Sequence, residues 1–270
     1  GELRTASTAS GGTALTTTAT FIQLPLGTRH LFVTPRNFAG AVVARFAINP
    51  WLIALKTVDN LLTATVDYSE VAQDGSTTTS VILSALDTLA NGDFLLVGSH
   101  LPFRGVSVDV DSANTTDPST LTVAYWDGTA WTTTSATDGT NSGTITMAQD
   151  GTVSWTVPAP WQADSLREIF GRVGPAVSET VFTASTLGPY ADAKFYWTRW
   201  VVSAALSTTV TLDSMVAMNR STAYGELLPG QTHERRVHRG LAGIGCIEAL
   251  TDAGTANLLV NVDSGNGGHF

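Results

Sequence analysis

The histidines near the C-terminal end of the sequence are the first residues whose types could do chemistry. His233 and Glu234, followed by His238, come close to the H-E-x-x-H pattern, in which two imidazoles one helical turn apart bind zinc. Here one extra residue separates the histidines, so on a helix they would diverge by about 140° and share no face. The sequence therefore predicts no zinc site at this position.

A second group of candidate ligands is acidic. Asp109, Asp111 and Asp117 have the spacing of the first ligands of a calcium loop. However, Asn114 stands where such a loop needs glycine, and Thr120 stands where it needs a bidentate glutamate. The alternation in VSVDVD instead places valines on one face of a strand and the two first aspartates on the other. We therefore expect a solvated strand face and no calcium site.

Catalytic constellations are equally incomplete. Glycoside hydrolysis needs two carboxyl groups across a cleft, and the sequence does not show which of Asp164, Glu168 and Glu179 could be paired. The chain contains neither a phosphate-binding loop nor a nucleophile elbow. Its single cysteine, Cys246, lies between isoleucines and is most simply a small buried hydrophobe. The sequence predicts a protein that is not an enzyme and that needs no cofactor or metal.

The stretch HERRVHR is unusually basic for a chain of net charge −9, and it contains Arg235, Arg236 and Arg239. Arginine suits planar, partly desolvated contacts with carboxylates and aromatic faces. Two interpretations stay open: a solvated run of charge, or a docking patch for an acidic neighbouring subunit. The overall negative charge argues against nucleic-acid binding.

The elements that must carry these residues are predicted to be strands. Only 14% of the residues are charged, against about 25% in typical globular chains, and threonine and glycine take up the difference. Short runs rich in Val, Ile, Leu and Thr alternate with Gly, Pro, Asn and Asp, which is typical of strands and turns. Arg45 and Pro50 interrupt the longest apolar stretch, so we expect no membrane span.

The pattern along the chain suggests four segments. Residues 1–20 are polar and small, and we expect a flexible arm there. Residues 21–90 form an N-terminal β segment, residues 91–220 a β-sandwich of jelly-roll type, and residues 221–270 a basic stretch followed by a hairpin. The predicted fold class is therefore all-β, with a sandwich module and flanking β-rich segments.

Local signals predict individual elements within this plan. Asp-Gly pairs at 127–128 and 150–151 predict two hairpins, and the sequence TDAG at 251–254 predicts a third between the last two apolar runs. Residues 163–170 predict one short helix, with Leu166, Ile169 and Phe170 on one side.

Tryptophans crowd the stretch from residue 126 to residue 200. Two interpretations stay open: they fill the sandwich core, or some of them form a platform for stacking sugars. Trp155 and Trp197 follow the apolar alternation of their strands, which favours the core. Trp126 and Trp200 fall on the opposite face and are the candidates for surface aromatics.

The region from Phe94 to Val216 resembles a module of tailed-bacteriophage virion proteins, which recurs in tail, neck, baseplate and head-decoration components. The residues that carry this resemblance are Leu121 to Val123, Tyr125 to Gly128, Trp131, Gly143 to Ile145, Pro158 to Trp161, and Tyr196 to Arg199. The resemblance covers a little under half of the chain. It implies a β-sandwich structural module and no particular activity.

Together these observations predict a non-enzymatic structural protein of a tailed-phage particle, located in the virion and assembled in the host cytoplasm. Its expected partners are other virion proteins and further copies of itself, without membrane or nucleic acid. The alternative is a carbohydrate-binding β-sandwich that adheres to a glycan, and the third candidate is a glycan hydrolase.

Overall fold

The computed structural model describes residues 3–5, 12–25, 28–62, 65–115, 118–174, 177–183, 186–237 and 243–263. The protein is mostly strand, with 47% of residues in strands against 9% in helices, and several antiparallel sheets pack together. The predicted all-β, sandwich-like fold is confirmed. The chain forms two compact units, which we call the split unit (Gly1–Trp51 with Val216–Phe270) and the inserted unit (Leu52–Met215).

Two sheets form the split unit, with strands numbered along the chain. Sheet A contains β1 (Leu3–Thr5), β2 (Thr13–Leu15), β4 (His30–Ala39), β19 (His233–Arg236) and β21 (Thr255–Asp263). Sheet B contains β3 (Thr20–Gln23), β5 (Ala44–Pro50), β18 (Gly225–Leu227) and β20 (Ile244–Thr251). Alternate apolar side chains of both sheets, such as Leu31, Val260 and Ile247, form one buried cluster.

Two further sheets form the inserted unit. Sheet C contains β6 (Ile53–Val58), β7 (Thr65–Asp67), β9 (Asp93–Ser99), β11 (Leu121–Trp126), β12 (Trp131–Thr133), β15 (Ala163–Asp164) and β16 (Phe195–Val202). Sheet D contains β8 (Val81–Ile82), β10 (Gly105–Ser112), β13 (Thr137–Asp138), β14 (Gly151–Ser154) and β17 (Thr211–Ala217). The long strands β9 and β16 lie in the middle of sheet C, where they are mostly buried.

Three short helices pack against one face of sheet C: α1 (Leu166–Arg172), α2 (Glu179–Thr183) and α3 (Gly188–Ala191). The predicted helix is confirmed as α1, and its apolar side is buried. It begins at Leu166 because Ala163 and Asp164 pair with β16 and cannot be helical. Ser165 caps the first turn, since its side chain accepts a hydrogen bond from the Glu168 N–H. Helices α2 and α3 were not predicted from the sequence.

Aromatic side chains pack against the other face of sheet C. Trp155, which follows β14 of sheet D, lies edge-on to Trp200 of β16, with ring centroids 6.4 Å apart. Phe103 contacts both Trp155 and Trp161, at 5.5 and 5.2 Å. Both faces of the middle of sheet C are therefore covered, one by helices and the other by aromatic side chains that contact sheet D.

The hairpin predicted at the first Asp-Gly pair is confirmed, since β11 pairs with β12 in antiparallel register. The Asp127 carboxylate stabilises the turn by accepting hydrogen bonds from the N–H groups of Thr129 and Ala130, each at 2.8 Å. Gly128 takes a positive φ of 98°, which glycine adopts at little cost. These bonds hold the pKa of Asp127 well below its ordinary value.

The other two predicted hairpins are wrong. The residues before Gly151 form a loop rather than a strand, because the hydroxyl groups of Thr140 and Thr146 donate to the Asp138 carboxylate. The last two strands, β20 and β21, lie in different sheets. Each finds its partners far away in the chain: β20 pairs with β3 and β5, and β21 pairs with β1, β2 and β4.

The two compact units do not follow the four predicted segments. The predicted segment 21–90 contributes strands to both units, and the predicted arm contains β2, whose Leu15 is fully buried. Sequence alternation does not show which strands share a sheet, because strand partners are chosen across the fold. The boundary near residue 220 falls close to the return of the chain to the split unit at Val216.

Candidate functional site

The basic stretch lies on β19, an edge strand of sheet A. Arg235 lies opposite Leu31 and Arg236 opposite His30, so the two arginines are on opposite faces of the sheet. Both are exposed, and no acidic side chain of the described residues forms an ion pair with either. Arg239 lies outside the described residues.

The outer face of this edge carries several polar groups close together. The Glu234 carboxylate lies 3.7 Å from the His30 imidazole, and the His30 ring is 5.8 Å from that of Phe32. Arg236 lies on this same face. The strand edge therefore presents the Arg236 guanidinium, which has no ion-pair partner among the described residues, on the same face as a histidine and an aromatic ring, and such a surface can contact an acidic partner.

The zinc-like motif does not form a metal site in the described part of the chain. His233 lies on a strand rather than a helix, and its ring packs against Phe46 at 5.0 Å. His238 lies outside the described residues. Among the residues that the structure describes, no group of three or more His, Cys, Asp and Glu side chains could hold a metal ion.

The aspartates of β10 are exposed, as the alternation predicted. The structure adds Asp150, whose carboxylate accepts from the Val110 N–H at 2.9 Å, and Asp213 on the neighbouring strand β17. Partial desolvation of the Asp109 carboxyl, followed by the charges of Asp150 and Asp213, raises the pKa of Asp109. The carboxylates on this face therefore repel one another. Asp117, the remaining member of the calcium-like spacing, lies outside the described residues.

The structure brings Asp164 and Glu168 together, as the sequence could not show. Lys194 contacts both carboxylates, at 3.6 and 3.4 Å, and Arg172 contacts Asp164 at 3.5 Å. Burial by itself raises the pKa of Asp164, but hydrogen bonds with Glu168 and neighbouring N–H groups, with the Lys194 charge, outweigh it and lower the pKa. A glycosidase acid needs a raised pKa, so Asp164 is better suited to an ion-pair network than to that role.

The third acidic residue considered for catalysis is also paired. Arg167 donates to Glu179 through Nη1 and to Asp192 through Nε, the latter at 2.7 Å. These bonds connect α1 to α2 and to the end of α3. Glu179 therefore joins helices rather than facing the Asp164 pair across a cleft.

The prediction that Trp126 and Trp200 are surface aromatics is wrong, because they are 0% and 1% exposed. Trp126 packs under the helices and Trp200 packs against Trp155. The alternation separated two faces of each strand correctly, but both faces of sheet C are covered. Trp155 and Trp197 are buried as predicted.

Sequence reasoning missed a buried polar cluster in the split unit. Glu248 on β20 is fully buried and accepts hydrogen bonds from the Tyr224 hydroxyl at 2.6 Å, the Asn219 N–H at 2.8 Å and the Asn49 amide at 3.1 Å. Cys246 is buried as predicted, but its thiol lies beside Asn49 and is not simply an apolar filler. The signal available in the sequence was a glutamate inside the apolar run GIGCIEAL.

None of the described helices combines the length and the hydropathy that crossing a membrane requires. Comparison with known proteins finds no matching family model, no matching curated protein and no matching solved structure.

Proposed function

We propose that this chain is a non-enzymatic structural subunit of a tailed-phage virion, which assembles with other virion proteins and with copies of itself. The resemblance of residues 94–216 to virion modules suggests the setting. The observation that carries the assembly role is the edge strand β19, with two exposed arginines that have no acidic partner among the described residues.

Charge supports an acidic partner for this edge. The chain has 23 acidic and 14 basic side chains, and β19 places two exposed arginines next to each other without an acidic partner among the described residues. Charged side chains on an edge strand oppose pairing with the backbone of another strand. The contact that we propose is therefore made by the arginine side chains and not by an added strand.

The structure does not support the residues that suggested the alternative of glycan adhesion. The two tryptophans proposed for sugar stacking are buried, and an aromatic platform needs an exposed ring face. The three acidic residues that were candidates for glycan hydrolysis are engaged in ion pairs. We therefore propose neither activity.

The test is the double reversal Arg235→Glu with Arg236→Glu. Exposed charge changes alter stability by only about 0.5 kcal/mol, so the variant should fold and melt like the wild type. In the variant, two glutamates would face the acidic partner, and this repulsion between like charges costs several kcal/mol of binding free energy. We expect near-normal melting with strongly reduced incorporation into phage particles, and reduced self-association in sedimentation experiments if copies contact each other here.

The matched control is the double reversal Arg36→Glu with Arg220→Glu, which makes the same change of net charge at two other exposed arginines of the split unit. It should assemble like the wild type. Normal incorporation of the Arg235→Glu, Arg236→Glu variant would overturn the docking role, and equal loss in both variants would show an effect of net charge instead of a specific contact.

A further inference from the structure

Arg199 is a half-buried cation in the middle of sheet C. It lies opposite Ala124 on β11 and Leu96 on β9, on the face that the helices cover. Its guanidinium carbon lies 5.1 Å from the ring centroid of Trp131, on the edge strand β12. This arrangement is a cation–π contact between a side chain of the middle strand β16 and a ring of the edge strand β12.

Two buried hydrogen-bond donors in this contact have no acceptor among the residues that the structure describes. They are the Arg199 Nε and the Trp131 Nε1, and both are covered. Buried donors in native proteins nearly always have one, because leaving a donor unsatisfied costs about 1–3 kcal/mol. Burial lowers the pKa of Arg199 to about 10, which leaves the group charged at neutral pH.

Other indole donors on this face of sheet C do have acceptors, whereas the Trp155 Nε1, on the other face, has none among the described residues. The indole of Trp126 donates to the Asp164 carboxylate, and the indole of Trp197 donates to the Asp164 carbonyl oxygen. The cations around α1 all have acidic partners. Within the described part of the chain, the Arg199–Trp131 pair brings together on this face two donors and one positive charge that lack an acceptor.

We propose that Arg199 and Trp131 form a binding site for a carboxylate group. A carboxylate supplies one negative charge and two oxygens in a plane, which matches the planar fork of a guanidinium. Arg199 and Trp131 are both only partly buried, and Trp131 lies at a sheet edge, so the carboxylate approaches from the edge. Local movement of the covering side chains then gives it access to the two N–H donors.

The carboxylate that binds here can come from two sources, a small organic acid or an acidic side chain of another copy of the chain. One experiment distinguishes these two sources. Proton–nitrogen NMR detects the Arg199 Nε–H directly, and the Arg199→Lys variant assigns the signal because it keeps the charge and removes that N–H. Sodium acetate is added to the full chain, with sodium chloride at matched ionic strength as the control. A dilution series without acetate detects an acidic side chain donated by another copy.

We expect a saturable shift of the Arg199 Nε–H and Trp131 indole signals with acetate but not with chloride. The Trp131→Phe variant keeps the ring and removes the N–H, so acetate should bind it about 3- to 10-fold more weakly, the equivalent of one net hydrogen bond. A shift that instead follows protein concentration supports the site with a second copy as the source. Signals that move with neither acetate nor concentration would overturn the proposal, even if the variants do not fold.

Discussion

Replacing Gly98 with alanine tests how tightly the middle of sheet C is packed. Gly98 on β9 lies opposite Trp197 on β16. A Cβ added to Gly98 would lie 2.4 Å from Cε3 and 2.6 Å from Cζ3 of the Trp197 ring, whereas carbon atoms in contact normally lie about 3.5–4.0 Å apart. The ring would therefore have to retreat by about 1 Å.

The surroundings of Trp197 make that movement costly. The side chain is fully buried, it donates to the Asp164 carbonyl oxygen at 3.1 Å, and it packs edge-on against Phe195. Overpacking a core costs about 1–3 kcal/mol, and weakening this hydrogen bond adds about 1 kcal/mol. We expect Gly98→Ala to lower the free energy of unfolding by about 2–4 kcal/mol, which lowers Tm by about 5–15 °C in a domain of this size.

The control is the same substitution at Gly171, which lies within α1 and whose added Cβ would meet no atom within 4 Å. There the change should stabilise the protein by about 0.4–1 kcal/mol, because alanine has less freedom to lose on folding. Scanning calorimetry of both variants checks the pair. A Tm for Gly98→Ala within a degree of the wild type would refute the packing described for Trp197.

Three other predictions concern polar groups. Tyr224→Phe removes a hydrogen bond to buried Glu248 and should cost about 1–3 kcal/mol in denaturant unfolding; an unchanged midpoint would contradict the buried cluster. Asp109→Asn should raise Tm at pH 7, because a raised carboxyl pKa destabilises the fold only once the group ionises; the gain should vanish near pH 3, and a gain at every pH would contradict this cause. Asp127→Ala should lower Tm at pH 7, because a lowered pKa stabilises the fold above the unfolded pKa, and the loss should shrink as the pH falls; a constant loss would point to backbone effects alone.

Local features of this fold could be predicted from the sequence. The alternation in β10, the turn at Asp127 and the apolar side of α1 each depend on residues within one turn or strand. The pairing of β20 could not be predicted in this way, because its partners β3 and β5 lie about two hundred residues away. Its alternating and apolar composition fits a hairpin and a buried middle strand equally well.

The candidate sites were less predictable than the strands. Trp126 appeared to face solvent because a single strand does not reveal whether a second layer covers it. The ion pairs of Asp164, and the lack of an acceptor for the Arg199 Nε among the described residues, depend on which side chains other segments bring near. In contrast, the exposure of Arg235 and Arg236 follows from a polar run with no apolar alternation, which a sequence shows directly.

The insertion of one unit within the other has a consequence for synthesis on the ribosome. The inserted unit, Leu52–Met215, leaves the exit tunnel whole, whereas β3, β4 and β5 emerge before it and their partners β18 to β21 emerge after it. During that interval these early strands have backbone edges without native partners, and such edges are prone to pair with other chains. A nascent chain interrupted after the end of β17 at Ala217 would therefore carry a complete inserted unit and an aggregation-prone leading segment.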